Sequence, residues 1–422
     1  MSQPADVVRA SIAESLPASN EQSEPSEWPA LFGANRLSFV DTKINAIWPT
    51  TGPKLVWESP VGTGYGSPVT AQGRVVFSHR LDQQEIIECR DVSCGDLLWQ
   101  VRYPTTAVCD FEYSDGPYST PVIDAASGRV FHVGGHGQFK CVDFETGRVL
   151  WSRALHDEYG MEPDIFPVGA SPLLDKNDGS KHGQLIFGLG SIDAGVISLD
   201  AATGETRWEA TEDGPSYGTP FVSTIESNRY AFVLTAEGLV SLEPDSGRVD
   251  WHFPFRRRGD LARNATSPLV LGDRVFLIAS GRGAACLKVM PDRSYEKVWH
   301  ERRSLDSQYN TLMLVDESIY SFTSSGQGGA DFCCLDTQTG KIAWRYRSVL
   351  KRGMGLASRN AFVLLGERGH LASLAISDSE PQVLSFTTEP LMSDPCYCSP
   401  AIAGSLLILK DEERIAVFDL GQ

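Results

Sequence analysis

The stretch Cys141–Trp151, CVDFETGRVLW, places a small residue, an acid, a Thr-Gly pair and a Trp at fixed intervals. The chain repeats that pattern at the same length in CRDVSCGDLLW (Cys89–Trp99), SLDAATGETRW (Ser198–Trp208), SLEPDSGRVDW (Ser241–Trp251) and CLDTQTGKIAW (Cys334–Trp344). Two longer relatives, CLKVMPDRSYEKVW (Cys286–Trp299) and SLAISDSEPQVLSF (Ser373–Phe386), share a length with each other, and in the second Phe takes the Trp position. Successive copies are spaced by 42 to 57 residues. An eighth begins as VFDLG at Val417–Gly421, and its missing half, Trp included, matches TGPKLVW at Thr51–Trp57. The repeat is therefore split across the two chain ends.

Each element of the pattern has a local physical reading. Asp143 and Thr146 are placed to hydrogen-bond turn backbone, and Gly147 supplies the positive φ that closes a bulged hairpin. The first position is small because it faces a neighbouring sheet, and the Trp is large because it fills the wedge between sheets. Docking positions on this reading are Trp57, Trp99, Trp151, Trp208, Trp251, Trp299, Trp344 and Phe386. After most of these aromatics comes a polar loop, then a hydroxyl residue followed by Pro and apolar residues, beginning at Ser67, Thr120, Ser171, Thr219, Ser267 and Ser399. Proline at a strand start costs no ladder bond. A β-rich run such as GRVFHVGG or DRVFLIAS follows, giving four antiparallel strands per unit.

Units of this size, the last completed from both termini, predict an all-β, eight-bladed β-propeller, because ring closure removes open sheet edges. The expected organisation is a disordered tail at 1–27, a lead-in segment at 28–53 packing on the propeller, and one propeller domain at 54–422, with Thr51–Trp57 pairing with Val417–Gly421. A fixed period of this kind turns 422 residues into one repeat-built domain. The net charge of -17 argues against nucleic acid as a partner. No run approaches 18 apolar residues, so no membrane insertion is expected. The first 28 residues lack a basic start followed by an apolar core, which predicts a cytoplasmic chain, or a periplasmic one if the true start lies upstream.

Nine cysteines at no metal-like spacing favour a reducing compartment over a disulfide framework. Cys333-Cys334 is the one vicinal pair, and Cys334 occupies the same slot as Cys89, Cys141 and Cys286, so a buried thiol stands against a redox disulfide. Cys109, Cys396 and Cys398 fall in connecting loops, where a metal or redox role stays open. DKNDGS at Asp175 reads as a hairpin turn, since its Gly falls one place early for a calcium loop. His132 and His136 lie on a strand and the following turn. No metal site is predicted, nor is any nucleophile elbow or phosphate loop present.

The loops joining one unit to the next differ in sign. Residues 101–118, 152–170 and 209–217 are net acidic, whereas 252–266 (HFPFRRRGDLARNAT) and 345–355 (RYRSVLKRGMG) are net basic. Arg256, Arg257, Arg258, Arg263, Arg302, Arg303, Lys351 and Arg352, with Asn264 and Asn310 beside them, form either a solvated rim or a docking site for an anion or acidic partner segment. Tyr65, Tyr118, Tyr217, Tyr309 and Tyr397 each stand two residues before an inner strand or its equivalent, so five phenols ring the channel mouth or pack against WPALFGANR, Trp28–Arg36. Aromatic faces beside arginines suit a sugar, an aromatic ligand or a peptide.

The small-x-Asp-x-x-Thr-Gly-x-x-x-Trp pattern resembles the tryptophan-docking repeat of pyrroloquinoline quinone-type propellers, and the chain from about residue 28 onward is similar to bacterial PQQ-like repeat proteins of the BamB-like group. WPALFGANR also resembles the opening segment of bacterial members, with Leu31 and Phe32 departing from it. For quinone-dependent dehydrogenases, the resemblance implies a stacking Trp on the channel floor, a vicinal disulfide, and Glu, Asn and Asp ligands for calcium. Seven of the nine Trp are docking residues, and Trp28 and Trp48 precede the propeller, which leaves none for that floor. No cofactor is therefore expected, pyrroloquinoline quinone included. The expected function is non-catalytic: a binding or scaffold propeller recognising a protein partner or a small anionic or sugar-like ligand. The alternative is a quinone-dependent oxidoreductase or another enzyme acting on carbohydrate.

Overall fold

A computed structural model of the chain describes residues 26–421 apart from 163, 258–262, 303–304, 311, 324–329, 348–349 and 378. The expected tail up to residue 25, Arg258 and Arg303 lie outside the described residues. The strands form eight four-stranded antiparallel sheets, an eight-bladed propeller. Blade 1 is Val69–Ala71, Arg74–Leu81, Gln84–Asp91 and Leu97–Pro104, ordered from axis to rim. Blades 2 to 7 repeat that order over residues 122–154, 173–210, 221–254, 269–301, 313–347 and 353–386. Blade 8 takes its inner three strands from Ala401–Asp419 and its outer strand from Lys54–Pro60.

The closing strand lies further along the chain than the sequence pattern suggested. Lys54 pairs opposite Asp419, Trp57 opposite Val417 and Pro60 opposite Arg414. Thr51 belongs to the turn that leads in, where the Gly52 N–H closes on Pro49 O. The strand then runs on to Pro60, because Val417 pairs with Trp57 in the middle of the ladder rather than at its end.

Within the repeated hairpin the local chemistry is as expected. Asp143 Oδ1 accepts the Thr146 N–H and hydroxyl, and the register shifts between Cys141 and Val142, which is the bulge. Gly147 has φ 73°. A second reason for this glycine comes from the neighbouring blade. The Trp99 ring of blade 1 lies on Gly147 of blade 2, where a Cβ would sit 2.8 Å from it, and Trp99 Nε1 donates to Phe144 O at 2.9 Å. Trp57, Trp151, Trp208 and Trp299 make the same contact with Gly95, Gly204, Gly247 and Gly340. Their indoles donate to Val92, Ala201, Pro244 and Thr337 carbonyls.

Trp251 and Trp344 face the two longer hairpins, and among the described residues their buried Nε1 atoms have no partner. The short turn supplies both the carbonyl and the glycine; the long one supplies neither. Trp251 instead meets Tyr295 with ring centroids 4.6 Å apart. Apolar layers between neighbouring blades make up the core, as where Phe139 of blade 2 meets Phe187 of blade 3 edge-on.

Four of the six hydroxyls before the inner-strand prolines also have an interblade task. Ser399 N donates to Ser67 Oγ, Ser67 N to Thr120 Oγ1, Thr120 N to Ser171 Oγ and Thr219 N to Ser267 Oγ, at 2.8 to 3.0 Å. These bonds link adjacent blades along part of the channel wall.

The lead-in segment crosses the channel. Trp28 exchanges backbone hydrogen bonds with Thr70 of blade 1, and Pro29 O accepts from Ile123 of blade 2. Half-buried Arg36, its guanidinium lowered to about 10 by desolvation, reaches Pro172 O beside blade 3. Leu37 O then accepts from Leu314 of blade 6, and Ser38 and Val40 bond Ala357 of blade 7. Trp28, Val40, Ile44 and Trp48 join the apolar cluster of blades 7, 8 and 1.

The docking contact makes a differential prediction. Trp99→Phe removes a satisfied donor, whereas Trp344→Phe removes a buried donor that has no acceptor. Urea denaturation of the two variants should place Trp99→Phe lower by about 1 to 2 kcal/mol, the difference a made and an unmade buried hydrogen bond produces; equal losses would show that the indole bond contributes nothing.

Candidate functional site

At the end of the channel where each outer strand connects to the next inner strand lies a chamber of about 390 Å³. Its floor includes Leu31 and Phe32 of the lead-in segment together with Met354. Ser67, Thr120, Ser171 and Ser267 of the hydroxyl belt line its wall. Tyr65, Tyr118, Tyr217, Tyr309 and Tyr397 all line it too, so the five phenols and the lead-in segment enclose one space.

The aromatic rings touch in sequence around the collar. Centroid distances are 5.0 Å for Tyr309 to Tyr397, 5.1 Å for Tyr397 to Tyr65 and 4.8 Å for Tyr65 to Tyr118. They are 6.0 Å for Tyr118 to Tyr217 and 6.3 Å for Tyr217 to Phe166. Edge-on and tilted contacts of this kind leave ring faces for a further aromatic group. Gly169 is required by this packing, since a Cβ there would lie 2.4 Å from the Tyr217 ring. Ser114 ties the collar to its loop: its N–H donates to the Tyr65 oxygen and its carbonyl accepts from Tyr118. Burial pushes all five phenols above the usual range, so each keeps its proton.

Among the described residues three arginines line the chamber: Arg257, Arg263 and Arg352. Arg263 makes a bidentate pair with Asp164, at 2.6 and 3.2 Å. That bond joins a basic loop to an acidic one and neutralises part of the charge contrast the sequence suggested. Arg352 donates to Glu367 at 2.7 Å and to Gln308 at 3.1 Å, and lies over the rings of Tyr309 and Tyr397. Arg257 has no acidic partner among the described residues.

The other site candidates stand elsewhere. Arg256 is exposed outside the chamber, 3.9 Å from Glu237, and Arg302 is exposed. Lys351 is half-buried and does not line the chamber. Asn264 and Asn310 are buried and brace loops, Asn264 donating to Thr235 O and Phe255 O, Asn310 to Gly353 O. Sequence reasoning passed over Leu31, Phe32, Phe111, Tyr113, Phe166, Gln308 and Met354, which also line the space. Phe111, Tyr113 and Phe166 carried a readable signal, as aromatics set in otherwise acidic loops (DFEYSD, DIFPVG).

A smaller pocket of about 180 Å³ adjoins the first through their common residue Phe166 and is lined by Asp110, His136, His156 and Asp164 among others. His156 sits on a one-turn helix, Leu155–Glu158, and burial, reinforced by His136, pushes its imidazole down to about 4. His132, on a strand of blade 2, is pushed down to about 3 by burial, and among the described residues neither ring nitrogen has a partner. Cys396 and Cys398 are buried, with thiols raised by burial, the second to about 11, and Cys398 Sγ sits 3.4 Å from Tyr65 O. Asp175 and Asp178 hold the turn between the first two strands of blade 3.

The residues of the chamber do not fit the calcium and quinone set that the family resemblance implies. The described lining holds neither a tryptophan nor a carboxylate. Cys333 and Cys334 are buried free thiols on the blade 6 strand Asp331–Leu335, away from it. Among the described residues no three His, Cys, Asp or Glu side chains are grouped to hold a metal ion.

Eight blades around a chamber, seven with a docking tryptophan and one with Phe386 in its place, mark a PQQ-like repeat propeller. The chain belongs to the family described as outer membrane protein assembly factor BamB, which matches residues 40–154 and 83–346. It is 23% identical to outer membrane protein assembly factor BamB of Yersinia pestis, over 54% of this chain and 57% of that one. It is 22% identical to the dehydrogenase subunit of a quinone alcohol dehydrogenase of Gluconacetobacter polyoxogenes, over 65% of this chain and 37% of that one. The chain thus spans between about a third and somewhat over half the length of the curated relatives it matches. Among solved structures, BamB from Moraxella catarrhalis superposes with a TM-score of 0.62 at 13% identity, covering 87% of this chain and all of that one. Quinohemoprotein alcohol dehydrogenase from Comamonas testosteroni gives 0.63 at 11%, covering 94% and 81%. At these identities the superpositions establish the fold alone. The relatives include both an assembly factor and dehydrogenases. Among the described residues no helix is long and apolar enough to cross a membrane.

The two depressed imidazoles predict an acid response. An unfolded histidine takes its proton near pH 6.5, whereas His132 and His156 stay neutral in the folded chain down to about 3 and about 4. Stability intact above pH 6.5 is therefore lost as pH falls below it, by about 1.5 kcal/mol per histidine between pH 6.5 and 5. His132→Phe should flatten that slope by roughly half in urea titrations, and an unchanged slope would refute the assignment.

Proposed function

We propose that the protein is a binding propeller that holds a protein partner or a small anionic ligand at the chamber mouth. The observation that carries this reading is the chamber itself: an apolar floor, a hydroxyl wall, a collar of neutral phenols and the Arg257 cation converge on one concave space. Few, placed polar groups in a mainly apolar hollow are what a recognition pocket requires. Beside the mouth, Val108, Phe111 and Tyr113 are 56%, 40% and 48% exposed, an apolar lip that favours a protein partner. The dehydrogenase relatives favour a quinone enzyme instead, but the chamber's donor set argues against it.

A photo-crosslinking amino acid at Tyr113, with Leu98 on the outer strand of blade 1 as control, tests the reading in cells. The expected result is a discrete adduct at Tyr113 that Arg257→Glu reduces at least tenfold without altering the melting temperature, since a half-buried loop charge with no acidic partner among the described residues moves stability by no more than about 0.5 kcal/mol. Adducts only at Leu98, or none that depend on Arg257, would overturn it.

A further inference from the structure

Resting on that binding reading, we infer that the occupant of the chamber is an aromatic side chain presented on an acidic loop of a partner protein. The chamber is layered. Leu31, Phe32 and Met354 offer apolar contact at the floor, and the tyrosine collar offers ring edges and faces to an inserted aromatic group. At about 390 Å³ the space is near the small end of ligand pockets, too small for a helix 10 to 12 Å across but sufficient for a side chain and adjoining backbone.

The wall selects for peptide. Ser67, Thr120, Ser171 and Ser267 each accept one N–H from the neighbouring blade, and each hydroxyl keeps its own proton to donate. A row of donors fits the carbonyl oxygens of an inserted backbone. With no carboxylate among the described lining residues, a cationic group would find no counter-charge.

The charge sets the flank. Asp164 neutralises Arg263 and Glu367 neutralises Arg352, which leaves Arg257 as the unpaired cation of the lining among the described residues. One carboxylate beside the inserted ring satisfies it. A polyanion would leave most of its charge unmatched against a chain of net charge -17. The exposed Val108, Phe111 and Tyr113 extend apolar surface past the mouth. A free small molecule in the chamber would not cover them; the body of a protein carrying the loop would.

The probe is the blocked peptide acetyl-Gly-Asp-Phe-Asp-Gly-amide, fluorescently labelled and titrated against the full chain by polarisation. Saturable binding is expected. Replacing its Phe by Ala, or both Asp by Lys, should weaken binding at least tenfold. Ala265→Trp and Met354→Trp each fill the chamber and should abolish binding with unchanged circular dichroism; two positions guard against one misfolding. Arg257→Gln should weaken binding about tenfold and flatten its salt dependence. Equal affinity for the Ala peptide, or retention by a folded chamber-filled variant, would overturn the inference. So would binding of pyrroloquinoline quinone or phenylacetate where the peptide fails. If Tyr113 captures an Arg257-dependent partner that the peptide does not displace, this inference falls and the binding reading stands; if Tyr113 captures none, the binding reading falls as well.

Discussion

The propeller depends on one contact, an indole of one blade laid on the hairpin glycine of the next. It works because a hairpin turn with positive φ leaves a bare Cα and an outward carbonyl side by side, which are the complement of an aromatic face and its N–H. Five of the seven tryptophans use both halves of that complement. Since each bond links two blades and none lies within one, the contact sets the angle between sheets and so the width of the channel. The inner hydroxyl links act on the same interfaces nearer the axis. A chamber of defined size at the axis follows from the spacing of residues at the rim.

How much of this could be read in advance depended on whether a residue acts within its own repeat. Asp143, Thr146 and Gly147 make a local turn, so their tasks were legible from spacing, and the split repeat at Val417–Gly421 gave the ring closure. The second task of Gly147, under Trp99, was not legible, because it belongs to another blade. The Ser/Thr-Pro signature was noticed for its proline alone, although the hydroxyl bridges blades. The five tyrosines stood out by position. Arg263 was grouped with the basic loop residues, but its bond to Asp164 spans 99 residues and could not be anticipated from net charge.

The assembly-factor and dehydrogenase relatives match this chain at 22 to 23% identity, too distant for residue roles to carry over. The chemistry of the lining therefore decides. Protonated phenols, hydroxyls and an unpaired guanidinium make a surface that donates hydrogen bonds, and it is suited to holding oxygen-rich groups rather than to moving protons.

The lead-in segment places much of the chamber floor outside the repeats. Leu31 and Phe32 precede every blade in the chain, yet they occupy the axis around which the blades close. Depth and floor chemistry can thus change by substitutions in a few residues that carry no indole dock. Part of the chamber's chemistry is thus written outside the docking repeats, where it can drift while the indole contacts are held fixed.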